Sequence, residues 1–183
     1  MVTTTRRKTI EDLHAMPDDG RRYELIDGEI VLSAAPSEPH FWVSRRLIRL
    51  LTPFDEVHHL GWLYWAPIEL FLPHGDVVQS DLFFFRRERP PLRPGTHLEG
   101  VPELIAEVSS PSTRSVDLGN KFRAYKRAEV PEYWTADPER REVRAYVLRG
   151  GKYEQLMQDG VILRSEVLST FEVDVEALFA DLP

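Results

Sequence analysis

The stretch that decides the fold runs from Gly100 to Trp134 and reads GVPELIAEVSSPSTRSVDLGNKFRAYKRAEVPEYW. Within it, positions 104–108 are apolar except for Glu107, which is typical of a strand covered on both faces. A helical segment from about Ser115 to Ala128 follows, and the chain then returns to an extended pattern, PEYWTAD. A helix that joins two such strands predicts a right-handed parallel crossover, and with it an α/β domain.

The segments around this crossover predict a mixed β-sheet flanked by helices. Turn pairs at Asp27-Gly28 and Gly150-Gly151 indicate two antiparallel hairpins. HFWVSRRLIRLL is predicted to be an amphipathic helix that ends before Pro53, and DVVQSDLFFF is predicted to be one central strand. The chain has 183 residues and no internal repeat, so we expect a single domain over residues 1–183, built around one sheet.

The composition excludes several classes of protein. The chain has no cysteine, which excludes disulfides, thiolate metal sites and cysteine nucleophiles. It has neither an apolar run near the roughly 20 residues of a membrane span nor the apolar core of a signal peptide, so we expect a cytoplasmic protein. The net charge of −7 argues against bulk electrostatic coating of nucleic acid, but it leaves local basic patches open.

Two acids stand where the pattern calls for apolar residues. Asp81 lies in VVQSDLFFF, as Glu107 lies in ELIAEVSS. An unpaired carboxylate buried in a strand costs several kcal/mol or becomes protonated. Two carboxylates on neighbouring strands are suited to share one hard divalent cation, such as Mg²⁺ or Mn²⁺. The alternative is that Asp81 pairs with an arginine and that Glu107 caps the next helix or faces water.

The crossover helix adds a candidate cation. Asp117, Lys121 and Tyr125 are spaced four residues apart and therefore line one face. From its place one to two turns into the helix, Lys121 is suited to reach back towards Glu107 and to stabilise charge on a phosphate. The alternative is an ion pair between Asp117 and Lys121 on a solvated face, worth about 0.3 to 0.5 kcal/mol, and the helix taken alone favours it.

Taken together, these motifs resemble the Uma2 family of restriction endonucleases, which belongs to the PD-(D/E)xK nuclease superfamily. The resemblance covers roughly Arg22 to Tyr153 and rests on YELIDGE, the histidine after SAAPSEP, VVQSD, PELIAEVSSPST, DLGNKFRAY and VPEYWTADP. It implies a restriction-endonuclease-like core, in which helices flank a mixed sheet. It also implies metal-dependent cleavage of DNA.

The resemblance assigns the metal site and the catalytic cation. It places the metal-binding acids on Asp81 and Glu107, with the carbonyl of Val108 completing the metal's ligands. In the superfamily the lysine stands two residues after the glutamate, but here that position is Ser109. The resemblance therefore implies that the lysine has moved onto the helix, at Lys121.

Further residues receive supporting roles from the resemblance. Glu24 matches an extra glutamate that approaches the metal, although the hairpin pattern alone makes it an exposed strand residue. His40 is interpreted as a residue that tunes the site, contacts phosphate or caps its helix, rather than as a metal ligand. Asp117 and Tyr125 are expected to support Lys121 from behind.

Contact with DNA requires positive charge near the site. The predicted nucleic-acid-binding residues lie in the loop after the Asp81 strand and along the crossover helix; they are Arg86, Arg87, Arg89, Arg114 and Arg123. The alternative is that these arginines are ordinary solvated surface. The aromatic residues Phe41, Trp42 and Trp134 are interpreted as core rather than as platforms for base stacking.

Two functions stay open on the sequence. The first is an endonuclease that uses Mg²⁺ or Mn²⁺ to hydrolyse DNA. The second is a weak or inactive nuclease-fold binding module, acting as a dimeric or DNA-associated accessory protein. A homodimer is suggested by the hairpin at Gly150-Gly151, because its edge needs covering. The choice between DNA and RNA and the target sequence stay open.

Overall fold

The structure is a computed structural model that describes residues 6–33 and 35–182. Its strands in that part of the chain are β1 (Arg22–Ile26), β2 (Glu29–Ser33), β3 (Gly61–Trp65), β4 (Leu70–Phe71), β5 (Val77–Val78), β6 (Leu82–Arg86), β7 (Leu98–Glu99), β8 (Leu104–Val108), β9 (Glu132–Asp137), β10 (Glu142–Arg149), β11 (Lys152–Gln155), β12 (Ile162–Arg164) and β13 (Glu172–Asp174). Its helices are α1 (Ile10–His14), α2 (Glu38–His58), α3 (Arg114–Val116), α4 (Phe122–Arg127) and α5 (Val175–Leu178), with a 3-10 turn at Pro73–Gly75 and a π-helical segment at Asp117–Lys121.

The larger sheet contains the predicted crossover. Its six strands lie in the order β11-β10-β9-β8-β6-β3. β8 and β9 are parallel, with Leu104 opposite Glu132, and the continuous helical segment 114–127 connects them. Every residue of these two strands is buried, because helices and other strands cover both faces. The predicted mixed sheet flanked by helices is therefore confirmed.

The prediction that the domain is built around one sheet is wrong. A second, smaller sheet has the order β2-β1-β5-β4-β7, and β12 pairs with β13 in a ladder of its own. The predicted hairpin between β1 and β2 is confirmed, with positive φ at Asp27 (53°) and Gly28 (75°), as a type I′ turn requires. The hairpin between β10 and β11 is confirmed as well, and β11 lies at an edge of the larger sheet.

The prediction of one central strand for DVVQSDLFFF is wrong. Its first part, β5, pairs with β1 and β4 in the small sheet, whereas its second part, β6, lies between β8 and β3 in the large one. The chain crosses between the sheets at residues 79–81, so Asp81 lies at a junction rather than inside a strand. The junction is held by its polar groups, since the Gln79 amide donates to Glu24 (2.7 Å) and the Ser80 hydroxyl bonds that of Tyr125 (2.9 Å).

The helix α2 is longer than predicted. Ser37 caps its start, and the helix continues through Pro53 to His58. Proline removes one backbone hydrogen bond, but packing on either side offsets the loss. Before it, Leu51 is buried in the core, and after it the ring of Phe54 lies 5.0 Å from that of Phe171.

Each face of the large sheet has its own apolar core. One face packs against α2 and against residues 163–179. The other face packs against α4 and the small sheet. The C-terminal segment is tied down by the fully buried carboxylate of Glu132, which accepts hydrogen bonds from Trp134, from the Ser165 hydroxyl and from the amides of Glu166 and Val167. Among the helices of residues 6–33 and 35–182, none has the length and apolarity to cross a membrane.

Candidate active site

The two acids singled out in the sequence, Asp81 and Glu107, meet where β6 begins and β8 ends. These strands are antiparallel, with Leu82 opposite Ala106, so the register brings Asp81 opposite Glu107. The amide of Val108 donates to Asp81 Oδ2 at 2.8 Å. This bond fixes the Asp81 carboxylate against the end of the strand that contains Glu107.

Lys121 reaches this pair from the crossover helix. It ends the π-helical segment, and its Nζ lies 3.0 Å from Glu107 Oε1 and 3.1 Å from Glu24 Oε1. Only 5% of the residue is exposed, so a solvated pair between Asp117 and Lys121 does not describe this helix. The ammonium lies between two carboxylates that are distant from each other in sequence.

Glu24 is buried, contrary to the hairpin pattern and in agreement with the resemblance. It lies on β1, which pairs with β5 as well as with β2, so neither edge of this strand faces water near Glu24. One oxygen, Oε1, accepts the amide of Gln79 and faces Lys121, and the other accepts the Ser33 hydroxyl at 2.5 Å. Both oxygens of the buried Glu24 carboxylate therefore have hydrogen-bonding partners within the protein.

The remaining supporting residues surround the acids. His40, in the first turn of α2, places Nε2 at 3.0 Å from Asp81 Oδ1. The Tyr125 hydroxyl donates to Glu107 Oε1 at 2.5 Å. Asp117 does not pair with Lys121; its Oδ2 accepts the hydroxyl of Ser109, the residue at the superfamily's usual lysine position, at 2.8 Å.

The pKa values of the two glutamates are shifted in opposite directions. Burial raises the pKa of Glu107 to about 8, and the nearby carboxylates of Asp81 and Asp117 add to the effect against the opposing ammonium of Lys121. Burial also opposes ionisation of Glu24, but Lys121 and the hydrogen bonds from Ser33 and Gln79 hold its pKa below the usual range. One ammonium is thus shared by several acids, and Glu107 retains the proton.

Asp81 and Lys121 are both held in their charged forms. Burial alone would raise the pKa of Asp81, but the hydrogen bonds from His40 and Val108 hold it below its ordinary value. Burial likewise disfavours the ammonium of Lys121, yet the surrounding carboxylates, Glu107 first, raise its pKa well above normal. The site therefore contains an ionised Asp81, the ammonium of Lys121 and a protonated Glu107, whose proton a bound divalent cation would displace.

The donor set fits a divalent ion with few protein ligands. Four carboxyl groups (Glu24, Asp81, Glu107 and Asp117) lie around Lys121, which leaves excess negative charge. Within the described ranges, Glu107 Oε1 accepts hydrogen bonds from Lys121 and Tyr125, and no hydrogen bond to Oε2 is found. Three or more His, Asp or Glu side chains arranged around one metal position are not found among those residues. Such sparse protein ligation suits Mg²⁺ or Mn²⁺, which keep water and substrate oxygens as ligands.

The five arginines predicted to bind nucleic acid all have partners within the protein. Arg86 and Arg87 donate to the carbonyls of Val167 and His59. The other three bond side chains: Arg89 pairs with Glu103, Arg114 with Asp137 and Glu139, and Arg123 with Asn120. Their contact with nucleic acid stays a prediction.

A cleft that the sequence did not predict opens beside Asp81. It has a volume of about 720 Å³ and lies between α2, the start of β1 and the end of β3. Its charged and aromatic lining residues, which define what we call the arginine cleft, are Arg22, Arg45, Arg49, His40, Phe41, Trp65 and Asp81.

The interpretation of Phe41 as a core residue is wrong, because 58% of it is exposed in this cleft. Trp134 is buried as predicted, with 1% exposure, and Trp42 is half-buried. The spacing of Phe41, Arg45 and Arg49, four residues apart on one helix face, is the signal that would have identified the cleft. Trp65 offered no comparable signal, since a tryptophan at a strand end is usually core.

Comparisons with known proteins agree with this architecture. The sequence profile of the Uma2 family, described as "Putative restriction endonuclease", matches residues 10–176. A solved structure from Anabaena variabilis ATCC 29413, described as "a putative nuclease belonging to DUF820", superposes with a TM-score of 0.77 over 93% of this chain and 97% of that one, at 15% identity. Comparison with curated proteins gave no match. Because the family profile spans most of the sequence, this chain belongs to the Uma2 family.

Proposed function

We propose that the protein is a metal-dependent endonuclease that hydrolyses phosphodiester bonds in DNA with Mg²⁺ or Mn²⁺. The observation that supports this most strongly is the buried ammonium of Lys121, 3.0 Å from Glu107 and surrounded by further carboxylates that include Asp81. A lysine buried among carboxylates costs desolvation that a purely structural role seldom repays. Beside a phosphate, the same lysine stabilises the charge that develops during hydrolysis.

In this proposal Asp81, Glu107 and the carbonyl of Val108 hold the ion. When bound, the ion supplies a Lewis acid that stabilises negative charge on the phosphate and favours ionisation of a water. His40 would orient the Asp81 carboxylate through its 3.0 Å contact, and Tyr125 would fix the Glu107 carboxyl through its hydrogen bond to Oε1.

The proposed role of Lys121 is to orient the attacking water and to neutralise charge on the phosphate. Glu24 would keep the ammonium of Lys121 in place while Glu107 binds the ion, because Glu24 Oε1 lies 3.1 Å from Nζ. Asp117 accepts a hydrogen bond from the Ser109 hydroxyl, and this bond would keep the backbone after β8 in position beside the acids.

Plasmid cleavage with Mg²⁺ or Mn²⁺ tests the proposal. Wild-type protein should nick or cut DNA, while Asp81→Asn and Lys121→Ala should lose this activity. Lys126→Ala is the matched control, because Lys126 lies on the same helical segment but is half-exposed and has no contact with these acids. Equal cleavage by Asp81→Asn and wild type would contradict the assignment of the site.

A second candidate function is a binding module that keeps the nuclease fold without cleavage. The observation that favours it is that the fold itself supplies a cation to Glu24 and Glu107, since the ammonium of Lys121 lies within 3.1 Å of both. Titration calorimetry with Mn²⁺ separates the two candidates. A nuclease should bind Mn²⁺ in wild type and lose that binding in Asp81→Asn, whereas a binding module should show no Mn²⁺ binding and no cleavage.

A further inference from the structure

We propose that the arginine cleft binds an unpaired stretch of nucleic acid, with phosphates on Arg22, Arg45 and Arg49 and bases stacked on Phe41 and Trp65. This inference rests on the proposed function, because Asp81 lines the same cleft. It specifies the form of the substrate, a strand whose bases are exposed.

The cleft is positively charged although the protein as a whole is acidic. Its arginines, Arg22, Arg45 and Arg49, form no salt bridge or side-chain hydrogen bond with another residue of the ranges 6–33 and 35–182, whereas the five arginines predicted to bind nucleic acid all have hydrogen-bonding partners. Asp81 is the only carboxylate among the residues that line the cleft in the described ranges. Guanidinium groups that no carboxylate of the described residues neutralises are suited to bind phosphates.

The cleft also exposes aromatic surface without an internal use. Phe41 is 58% exposed and Trp65 is 51% exposed, although aromatic side chains of this size are normally well buried. Among the described residues, the ring of Phe41 contacts that of Trp42 alone, at 6.2 Å, and Trp42 in turn lies under the guanidinium of Arg45 at 5.1 Å. Aromatic rings that alternate with cations along a groove are the arrangement on which single-stranded nucleic acids stack.

A backbone contact connects the cleft to the acids. Trp65 is opposite Leu82 in the β3–β6 pair, and the next amide, of Ala66, donates to the carbonyl of Asp81 at 3.2 Å. The end of β3 that carries Trp65 is therefore bonded directly to the segment that holds Asp81.

The aromatic rings favour an unpaired strand over a duplex. In a duplex the faces of the bases are covered by neighbouring base pairs, so Phe41 and Trp65 would meet only sugar and phosphate. A second copy of this protein fits less well. A symmetric interface sets each patch against itself, which would bring Arg22, Arg45 and Arg49 close to the same arginines of the other copy.

Fluorescence anisotropy in EDTA tests the inference without cleavage. The probes are a labelled single strand of about 16 nucleotides, the upper site size for such grooves, and the blunt duplex of the same sequence. The single strand should bind more tightly, and Phe41→Ala and Trp65→Ala should each weaken its binding about tenfold. Trp65→Phe, which keeps a ring, should recover most of the affinity. Arg45→Gln should reduce the salt dependence of binding by about 0.7 in the log–log slope.

Met157→Ala is the matched control, because Met157 is 90% exposed and lies outside the cleft. Equal affinity for both probes, or single-strand binding unaffected by Phe41→Ala and Trp65→Ala, would overturn the inference. So would a dimer that these variants dissociate without change in affinity for the oligonucleotide. Failure of the proposed function looks different, since single-strand binding that depends on Phe41 and Trp65 without any metal-dependent cleavage would leave the cleft assignment intact.

Discussion

Glu107 is the residue at which burial and charge conflict most strongly. It is 3% exposed, and its raised pKa of about 8 means that the folded protein keeps a proton that the unfolded chain releases near pH 4.5. The stability contributed by this carboxyl is therefore complete below about pH 4.5 and is lost as the pH rises through 8.

Glu107→Gln cannot ionise, so it should not show this loss. We expect the free energy of unfolding of the variant, relative to wild type, to rise between about pH 5 and about pH 8.5, and cleavage to be lost at both. Urea unfolding at the two pH values measures the difference. Glu88→Gln, at an exposed position, serves as the control and should show no such change. An identical difference at both pH values would contradict the shifted pKa.

Tyr125 has a separable structural and functional contribution. Its hydroxyl bonds Glu107 and Ser80, and Tyr125→Phe should lower the free energy of unfolding by about 1 to 2 kcal/mol. Because the same hydroxyl orients Glu107, the affinity for Mn²⁺ should fall about tenfold. Tyr153→Phe is the matched control, since it removes a 2.8 Å bond to the Val130 carbonyl far from the acids and should leave Mn²⁺ affinity unchanged. Calorimetry and urea unfolding of both variants measure the two effects, and an equal loss of Mn²⁺ affinity in both would contradict the role of Tyr125.

At this scale, what could be predicted from sequence depends on how local the signal is. Glu107 and Lys121 stand out because a charge interrupts an apolar run or follows a helical period. Glu24 does not, since its burial depends on pairing of its strand with β5, about 50 residues away in the chain. Phe41 misled us because a large aromatic side chain is usually core, and the residue type outweighed its helical spacing with Arg45 and Arg49.

At the level of elements, β3 positions one wall of the cleft through a close approach of backbones. A Cβ at Gly61 would lie 1.8 Å from the carbonyl oxygen of Phe85, so only glycine allows β3 to pair with β6 here. The opposite end of the same strand carries Trp65. Position 61 therefore affects the distance between the cleft wall and Asp81.

Gly61→Ala should lower the free energy of unfolding by about 2 to 3 kcal/mol, because the strands must separate to admit the methyl group. It should also weaken binding of the single-stranded probe, as Trp65 moves with β3. Gly95→Ala is the matched control: a Cβ there has no atom within 4 Å, and stability should stay within about 0.5 kcal/mol of wild type. Urea unfolding and anisotropy measure both effects, and a Gly61→Ala protein of full stability would contradict the close approach.

The elements that sequence failed to predict are those decided by distant contacts. Pro53 is a local stop signal, yet α2 continues through it because Phe54 packs on Phe171. DVVQSDLFFF has the pattern of one strand, but its two halves find partners in different sheets. By contrast, β8, the crossover helix and β9 were predictable from local signals, since a continuous apolar run marks β8, a helical period marks the helix, and the extended pattern PEYWTAD marks β9.

For the whole molecule, the predicted homodimer requires an open sheet edge. β11 provides one, since β10 is its single neighbour in the order of the large sheet. Lys152 pairs with Arg149 across a two-residue turn, and the Leu156 amide donates to the Ala145 carbonyl. Along an antiparallel strand, alternate amides face the same neighbour, so the amides of Tyr153 and Gln155 face away from β10.

We expect the protein to sediment as a dimer that Gln155→Pro converts to a monomer, because proline removes an outward amide without breaking a bond to β10. Sedimentation velocity measures the mass. Glu154→Ala is the control on the same strand and should remain dimeric. A wild-type protein that is monomeric at high concentration would contradict the predicted dimer.

The packing of α2 also fixes an order of assembly. One face of this helix rests on an apolar cluster to which residues 163–179 contribute seven buried side chains, and Arg46 donates to the carbonyls of Leu178 and Ala180. On a ribosome, His40 is translated long before that segment leaves the exit tunnel. The helix therefore gains its support, and His40 its fixed position beside Asp81, only after residue 180 has emerged. A nascent chain that stalls earlier therefore lacks the packing that places His40 beside Asp81, and with it the complete candidate site.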